Sequence, residues 1–354
     1  MSTAMIVMLC TVARGGMRSV VEGYRDDGIF DKWGISLIDT HVEGGYWVRF
    51  KVFCAALFRF AGLLVQRKVD GLHCHVAAYG SFWRKSIFAS LAHLSGVPVI
   101  LHLHGSRTKE FVARQPRWSL RLIRWQLRKA NAVIVLSESW KDYILSIEPA
   151  AQVRVIPNGV TLPKEHTYDA AGSEFINILF LGEVGERKGI YDLLRALPEV
   201  LRHCPSMRLQ IGGKGEMERA QDLVRELGIG DAVEFCGWVV GDQKRALLRG
   251  ASIYVLPSYN EGLPMSILEA MSWKLPIIST TVGGIPELVR DREEGFLINP
   301  GDVKALTLAL VQLVSDASLR QSMGQKALKR VEQGFSSVYV SRSIDELYSA
   351  ILNK

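Results

Sequence analysis

The sequence predicts an α/β protein built from two doubly wound parallel-sheet units. Three observations predict it. Short β-rich runs alternate with longer helical segments along the whole chain, the pattern of parallel strands joined by crossover helices. The 354 residues, at roughly 150 per domain, fit two domains. A polar, aperiodic stretch carrying Pro and Gly, Asn158 to Ser173, divides the runs into two sets.

In the first set, strands are expected at Met5–Cys10, Ile35–His41, Gly71–Val76, Val97–Leu103, Ala132–Ser137 and Arg154–Pro157. In the second they are expected at Asn177–Gly182, Arg208–Gly212, Val233–Gly237, Ser252–Pro257 and Ile277–Thr280. Gly, Pro or Asn follows most of them, as a strand-to-helix turn requires. The domains are therefore placed at 1–165 and 166–335, with a last helix, 336–354, packing back on the first. Ligands of open α/β sheets sit outside the carboxyl ends of the strands, so two facing units predict a site in the cleft between them.

Composition narrows the class. Hydrophobic residues make up 48% and charged residues 22%, which excludes disordered, collagenous and low-complexity chains. Cys10, Cys54, Cys74, Cys204 and Cys236 are scattered and form no CxxC pair. They read as reduced thiols of a cytoplasmic protein, with no disulfide frame or zinc site. The longest greasy stretch, Val52 to Val65, is interrupted by Arg59 and falls short of the ~20 apolar residues that span a bilayer. The net charge of +7 is uneven. Residues 1–170 hold 22 basic against 13 acidic side chains, and residues 171–354 hold 21 against 23. The first half is expected to meet something anionic.

The most informative segment runs from Pro257 through Glu261, Gly262 and Pro264 to Glu269. A strand enters a Gly/Pro turn, and a helix starts near Pro264. Such a turn presents free backbone N–H groups, an anion or sugar-hydroxyl cradle to which Gly262 contributes. Glu261 and Glu269 can accept a sugar hydroxyl and a second diol such as a ribose. Equally, they can be an acidic helix start and a surface carboxylate. Arg187 and Lys188 stand just before Gly189, at the head of an amphipathic stripe of Ile190, Leu193, Leu194 and Leu197. Cations at a helix N-terminus oppose its dipole, so an anionic ligand, a diphosphate, accounts for them better than a solvated surface does.

Other features are weaker alone. Gly15 and Gly16 follow the first strand without a dinucleotide fingerprint, so Gly16 reads as a close approach to ligand or as a tight turn. Gly213, in Gly212-Gly213-Lys214-Gly215-Glu216, reads as a nucleotide-lining turn or as an ordinary strand–helix turn. His104 follows a buried-looking strand and precedes Gly105, which puts it at a strand tip. His102 shares its strand face, but the pair lacks a third metal ligand and no D-x-D occurs, so no metal is expected.

Together these segments resemble the retaining GT-B glycosyltransferases, glycosyltransferase family four in particular. The resemblance rests on Glu261 and Glu269, eight residues apart, as in that family's paired-glutamate motif. It extends to Leu179–Gly182 with Arg187-Lys188-Gly189, to Ile211–Glu216, to Thr281–Glu287, to Gly15-Gly16 and to His102–Ser106. It implies two Rossmann-like domains, a nucleotide-sugar donor (UDP or GDP) and no further cofactor. It implies that Arg187 and Lys188 hold the diphosphate, that Glu269 holds the ribose, and that His104 and Glu261 act on the sugar. One position departs from the pattern. Glu183 stands where many members carry arginine, and it either removes a phosphate contact or ties Arg187 or Lys188 in place.

Residues 107–129 carry eight basic side chains against Glu110 alone, with Trp118, Leu122 and Trp125 interleaved. Arg117, Arg121, Arg124 and Arg128 recur at helical spacing. Basic helices with tryptophan suit an anionic membrane surface, and a solvated helix face is the plainer alternative. Nucleic acid is not expected, because no nucleic-acid module is visible. The expected function is transfer of a hexose to a lipid-linked saccharide in bacterial exopolysaccharide or surface polysaccharide assembly. The protein would be cytoplasmic and peripherally bound to the inner face of the plasma membrane. The alternatives are a non-catalytic nucleotide-sugar or lipid-binding module, with Glu183 marking a degenerate clamp, and a UDP-sugar epimerase.

Overall fold

The computed structural model describes residues 5–12, 15–105, 107–163 and 175–352. Most of the stretch Asn158 to Ser173, the 165/166 boundary and Ser106 lie outside the described residues. The chain divides into two compact units, Met1–Gly159 with Ser337–Lys354, and Val160–Ser336.

The first unit contains strands β1 (Ile6–Cys10), β2 (Ser36–Asp39), β3 (Gly71–Val76), β4 (Val99–Leu103), β5 (Ala132–Val135) and β6 (Val153–Val155). Its helices are α1 (Gly16–Asp26), α2 (Ile29–Lys32), α3 (Tyr46–Val65), α4 (Gly80–Leu94), α5 (Thr108–Ala113), α6 (Arg117–Lys129) and α7 (Glu138–Ile147). The second unit continues with β7 (Ile176–Leu181), α8 (Ile190–His203), β8 (Met207–Gly212), α9 (Met217–Glu226), β9 (Val233–Gly237), α10 (Gly241–Gly250) and β10 (Ile253–Leu256). It ends with α11 (Met265–Ser272), β11 (Ile277–Thr280), α12 (Ile285–Leu288), β12 (Gly295–Ile298), α13 (Val303–Ser315) and α14 (Ala317–Gly334), before α15 (Ser337–Leu352) rejoins the first unit.

The first sheet is parallel throughout, in the order β2-β1-β3-β4-β5-β6. Both faces are covered, so β1 (IVMLC) and β3 (GLHCHV) are buried at every residue. On one face Leu72, Cys74 and Val76 pack in a core with Phe60 of α3, Phe88 of α4 and Ile123 of α6. Near the other lie Tyr24 of α1, Trp33 and Tyr348 of α15. Two carboxylates latch α15. Asp27 accepts from Ser337 and Ser341 at 3.1 and 2.6 Å, and Asp345 accepts from Trp33 and Lys32, both at 2.8 Å.

The second sheet is also parallel, in the order β12-β11-β10-β7-β8-β9. The strand β12 is absent from the sequence-based expectation. Its four residues follow the charged turn Arg290–Glu294, where the buried Glu294 receives the Arg290 guanidinium. Gly295 admits it to the sheet, since a Cβ there would lie 1.8 Å from the Ile277 carbonyl oxygen. Reading outward from β7, the chain fills one side with β8 and β9 and the other with β10, β11 and β12. The order therefore reverses between β7 and β10, the switch point at which doubly wound sheets take their ligands.

Candidate functional site

At this switch point three turns lock together through glycines. The chain leaving β7 passes a 3-10 turn, Glu186–Lys188, and enters α8 through Gly189 at φ 72°. A Cβ on Gly189 would lie 1.9 Å from the carbonyl oxygen of Pro257, so only glycine lets this turn cross the one leaving β10. The Tyr259 N–H donates to the Arg187 carbonyl at 2.9 Å across the crossing. The turn after β11 laps over the second turn in the same way. Gly283 has φ 57° and its Cβ would meet the Glu261 carbonyl at 2.0 Å, while the Gly284 N–H donates to the carbonyl of Gly262 at 2.7 Å.

The crossing brings Lys188 and Glu261 together. Lys188 Nζ lies 2.5 Å from Glu261 Oε1, and Ser258 Oγ donates to the same oxygen at 2.7 Å. Glu261 is only 6% exposed, so its charge is held by these two donors and not by water. An ammonium has three N–H donors, and the Glu261 bond leaves two to meet another anion. Arg187 donates to Glu183 Oε2 at 2.7 Å and to the Asn260 carbonyl at 3.3 Å. Glu183 thus ties Arg187 in place beside the turn. Glu269 is the fifth residue of α11, half-buried, and its Oε1 accepts from Lys244 of α10 at 2.6 Å. Among the described residues its second oxygen accepts no side-chain hydrogen bond.

Gly213 has a packing reason. A Cβ there would lie 1.8 Å from the Gly182 carbonyl, and its N–H donates to the Gly237 carbonyl at 2.7 Å. The neighbouring Lys214 ammonium stands 5.2 Å over the Trp238 ring. Gly16 opens α1 and is exposed. Three participants escaped the sequence reading: Ser258, Lys244 and the Asn260 carbonyl. Only Ser258 had a local signal, since it stands three residues before Glu261.

In the first unit His104 follows β4, and its Nε2 lies 2.8 Å from Nδ1 of His75 on β3. His73 Nδ1 meets the Tyr348 hydroxyl at 2.6 Å, and His73 Nε2 lies 3.2 Å from His102 Nδ1. Burial holds all four imidazoles neutral, with His73 and His104 pushed down to about 3 and His75 and His102 well below the ordinary range. One nitrogen from each of His73, His75 and His102 lies within 4.8 Å of the others. The sequence reading found no third ligand beside His102 and His104; the neighbouring strand β3 supplies His73 and His75, whose rings stack at 4.6 Å with planes 16° apart. His75 Nε2 is buried without a partner. An orphaned lone pair costs less than an orphaned N–H, so His75 donates from Nδ1 and His104 carries its own proton on Nδ1.

Two family descriptions match the chain. Residues 6–159 match "Glycosyl transferase 4-like domain" and residues 176–316 match "Glycosyl transferases group 1". The chain carries these two glycosyltransferase domains on a GT-B fold. An uncharacterized glycosyltransferase of Methanocaldococcus jannaschii is 28% identical over 81% of this chain and 77% of its own length. The capsular polysaccharide biosynthesis glycosyltransferase CapM of Staphylococcus aureus is 25% identical over 64% of this chain and 63% of its own. Among solved structures, sucrose-phosphate synthase from Thermosynechococcus elongatus superposes with a TM-score of 0.83 at 19% identity, covering 99% of both chains. Anabaena HepE in complex with UDP-glucose superposes with a TM-score of 0.75 at 18% identity, covering 98% of this chain and 99% of its own. At such identities the structures establish the fold.

This glycosyltransferase also exposes apolar and basic side chains on its first unit. On α3, Trp47 is 70% and Phe58 79% exposed, with Tyr46 and Phe50 beside them. On α6, Trp118 is 70% exposed while Ile123 and Leu127 are buried, and Arg124 reaches Glu148 at 3.5 Å. Among the described residues no helix is long and apolar enough to cross a membrane.

Proposed function

We propose that this glycosyltransferase moves a hexose from a UDP- or GDP-sugar to a lipid-linked saccharide, with retention at the anomeric carbon, in assembly of a bacterial surface polysaccharide. One observation carries the reading: a buried Lys188–Glu261 pair, backed by Arg187, sits at the switch point of the second sheet with Glu269 on the helix that follows. The unused N–H groups of Lys188 and Arg187 hold the diphosphate and neutralise the charge that develops on it as the sugar leaves. Glu269 Oε2 accepts from the ribose. Glu261 and His104 orient the sugar, His104 as a donor through Nδ1. Among the described residues no pair of carboxylates stands out as nucleophile and acid, which favours front-face attack. The acceptor hydroxyl oxygen bonds to the anomeric carbon as the bond to the diphosphate oxygen breaks, and its proton passes to that oxygen.

The exposed aromatics of α3 and the basic face of α6 support seating on an anionic membrane at its cytoplasmic side. The capsular polysaccharide relative supports the class of product. A second reading, a binding module without turnover, draws on the Glu183–Arg187 pair, which already occupies part of the clamp.

A panel of nucleoside diphosphates scored by thermal shift, followed by incubation with the matching sugar nucleotides, separates the readings. One of UDP and GDP should stabilise the chain, by about 2.7 kcal/mol at one hundred times its Kd. Transfer or slow hydrolysis of the donor supports the enzyme. Stabilisation without turnover supports the module, and no stabilisation by any nucleotide refutes both.

A further inference from the structure

The first sheet has its own switch point. The chain runs from β1 to β2 on one side and then to β3 on the other, so the order reverses between β1 and β3. Four cationic or protonatable side chains gather at the carboxyl ends of these strands. His41 follows β2, Arg49 lies in the first turn of α3, and Arg84 and Lys85 lie near the start of α4. Their charges act on one another. The His41 imidazole is held below its ordinary range by burial and then by Arg84, Arg49 and Lys85, with Glu43 opposing. Arg49 likewise acts on Arg84, and Lys85 on His104.

Arg49 is exposed and Arg84 half-buried, whereas Lys85 is buried without a paired carboxylate. Lys85 is 1% exposed, and its ammonium reaches only the Ser81 hydroxyl, at 3.0 Å. Burial lowers it to about 8, so it stays mostly charged at neutral pH. Asp39, a carboxylate that acts on Lys85, is engaged by Arg18 at 3.0 Å. Arg84 Nε is buried without a partner. Among the described residues no carboxylate pairs with Arg49, Arg84 or Lys85. A charge taken out of water this completely is costly unless something compensates it. Two guanidiniums and an ammonium exceed what one carboxylate balances, and they match a phosphate or diphosphate.

We infer that Arg49, Arg84 and Lys85, with His41, form a receiving site for a phosphate or diphosphate group carried by the acceptor. The inference deepens the proposed reaction and rests on it for the word acceptor; the anion site itself stands on the first unit alone.

The full chain is titrated with inorganic pyrophosphate in four forms: wild type, Arg187→Ala/Lys188→Ala, Arg49→Ala/Arg84→Ala and Lys85→Met. Wild type should bind pyrophosphate at two sites, and the donor-site variant should lose one of them and keep the first-unit site at its wild-type affinity. Arg49→Ala/Arg84→Ala should bind at least ~10-fold more weakly, as loss of charge-assisted hydrogen bonds requires. Lys85→Met should lose binding while keeping or raising Tm, since it removes an uncompensated buried charge; a drop in Tm with binding retained would contradict the site. Unchanged pyrophosphate affinity in both first-unit variants overturns the inference, whatever the nucleotides do. Loss confined to Arg187→Ala/Lys188→Ala overturns it too. A further arm uses phosphatidylcholine vesicles doped with farnesyl diphosphate. Tighter binding there than to pyrophosphate assigns the anion to a lipid, and equal binding assigns it to a soluble acceptor.

Discussion

Glu261→Ala is expected to abolish turnover and to unsettle the fold by about 3 kcal/mol. Removing one partner of a buried ion pair leaves the other charge uncompensated, which costs roughly 3–5 kcal/mol. The low end applies because the Lys188 side chain is 13% exposed and can turn partly toward water. Ser258 Oγ also loses its acceptor. Glu261→Gln separates the two kinds of damage. The amide oxygen still accepts from Ser258, so stability should fall by about half as much, in line with an ordinary hydrogen bond. Turnover should remain down by roughly 10²-fold or more, the scale for losing one charge-aligned group in a transition state. Urea midpoints at constant slope give the first effect and donor turnover gives the second. A Glu261→Gln enzyme with near wild-type turnover would remove Glu261 from the chemistry and leave it as the structural anchor of Lys188.

The second large effect is acid lability of the first unit. His73, His75, His102 and His104 are held neutral by burial, with His73 and His104 at about 3. Unfolded imidazoles titrate near 6.5. Below that value the unfolded chain binds protons that the folded chain does not, so stability falls as pH falls. The loss is about 1.4 kcal/mol per imidazole per pH unit, and it runs from about 6.5 down to the folded values. At pH 5.5 the four together cost about 4–6 kcal/mol, comparable to the whole stability of a typical domain. Hydrogen exchange of the β3 and β4 amides between pH 7.5 and 5.5, corrected for intrinsic rates, should show this opening. His73→Gln should reduce the slope by about one proton. Protection that is independent of pH over this range would contradict the account.

Much of the architecture was legible because buried parallel strands are written as apolar runs. IVMLC and INILFL are buried on nearly all sides, and each ends at a turn where Gly or a polar residue follows. The strand β12 was not legible, since four residues after a charged turn carry too little periodicity. The candidate site was legible where chemistry is local. Arg187 and Lys188 precede a helix, and Glu261 and Glu269 share one turn and helix. It was not legible where contacts depend on register. His75 meets His104 only because β3 lies beside β4, with His75 opposite His102. Lys244 reaches Glu269 from a different helix. Lys85 looks like an ordinary helix lysine until α4 lays it over the end of the first sheet. The Glu183–Arg187 pair joins two side chains four residues apart, one of the two arrangements that the sequence allowed for Glu183.

The claim on which the proposed function depends is that Lys188 and Arg187 grip a nucleoside diphosphate in the second unit. Calorimetric titration of UDP and GDP into the wild-type chain and into Arg187→Ala/Lys188→Ala tests it most directly. One nucleotide should bind the wild type and bind the double variant at least ~100-fold more weakly, as two charge-assisted contacts require. Equal affinity in the two proteins would contradict it.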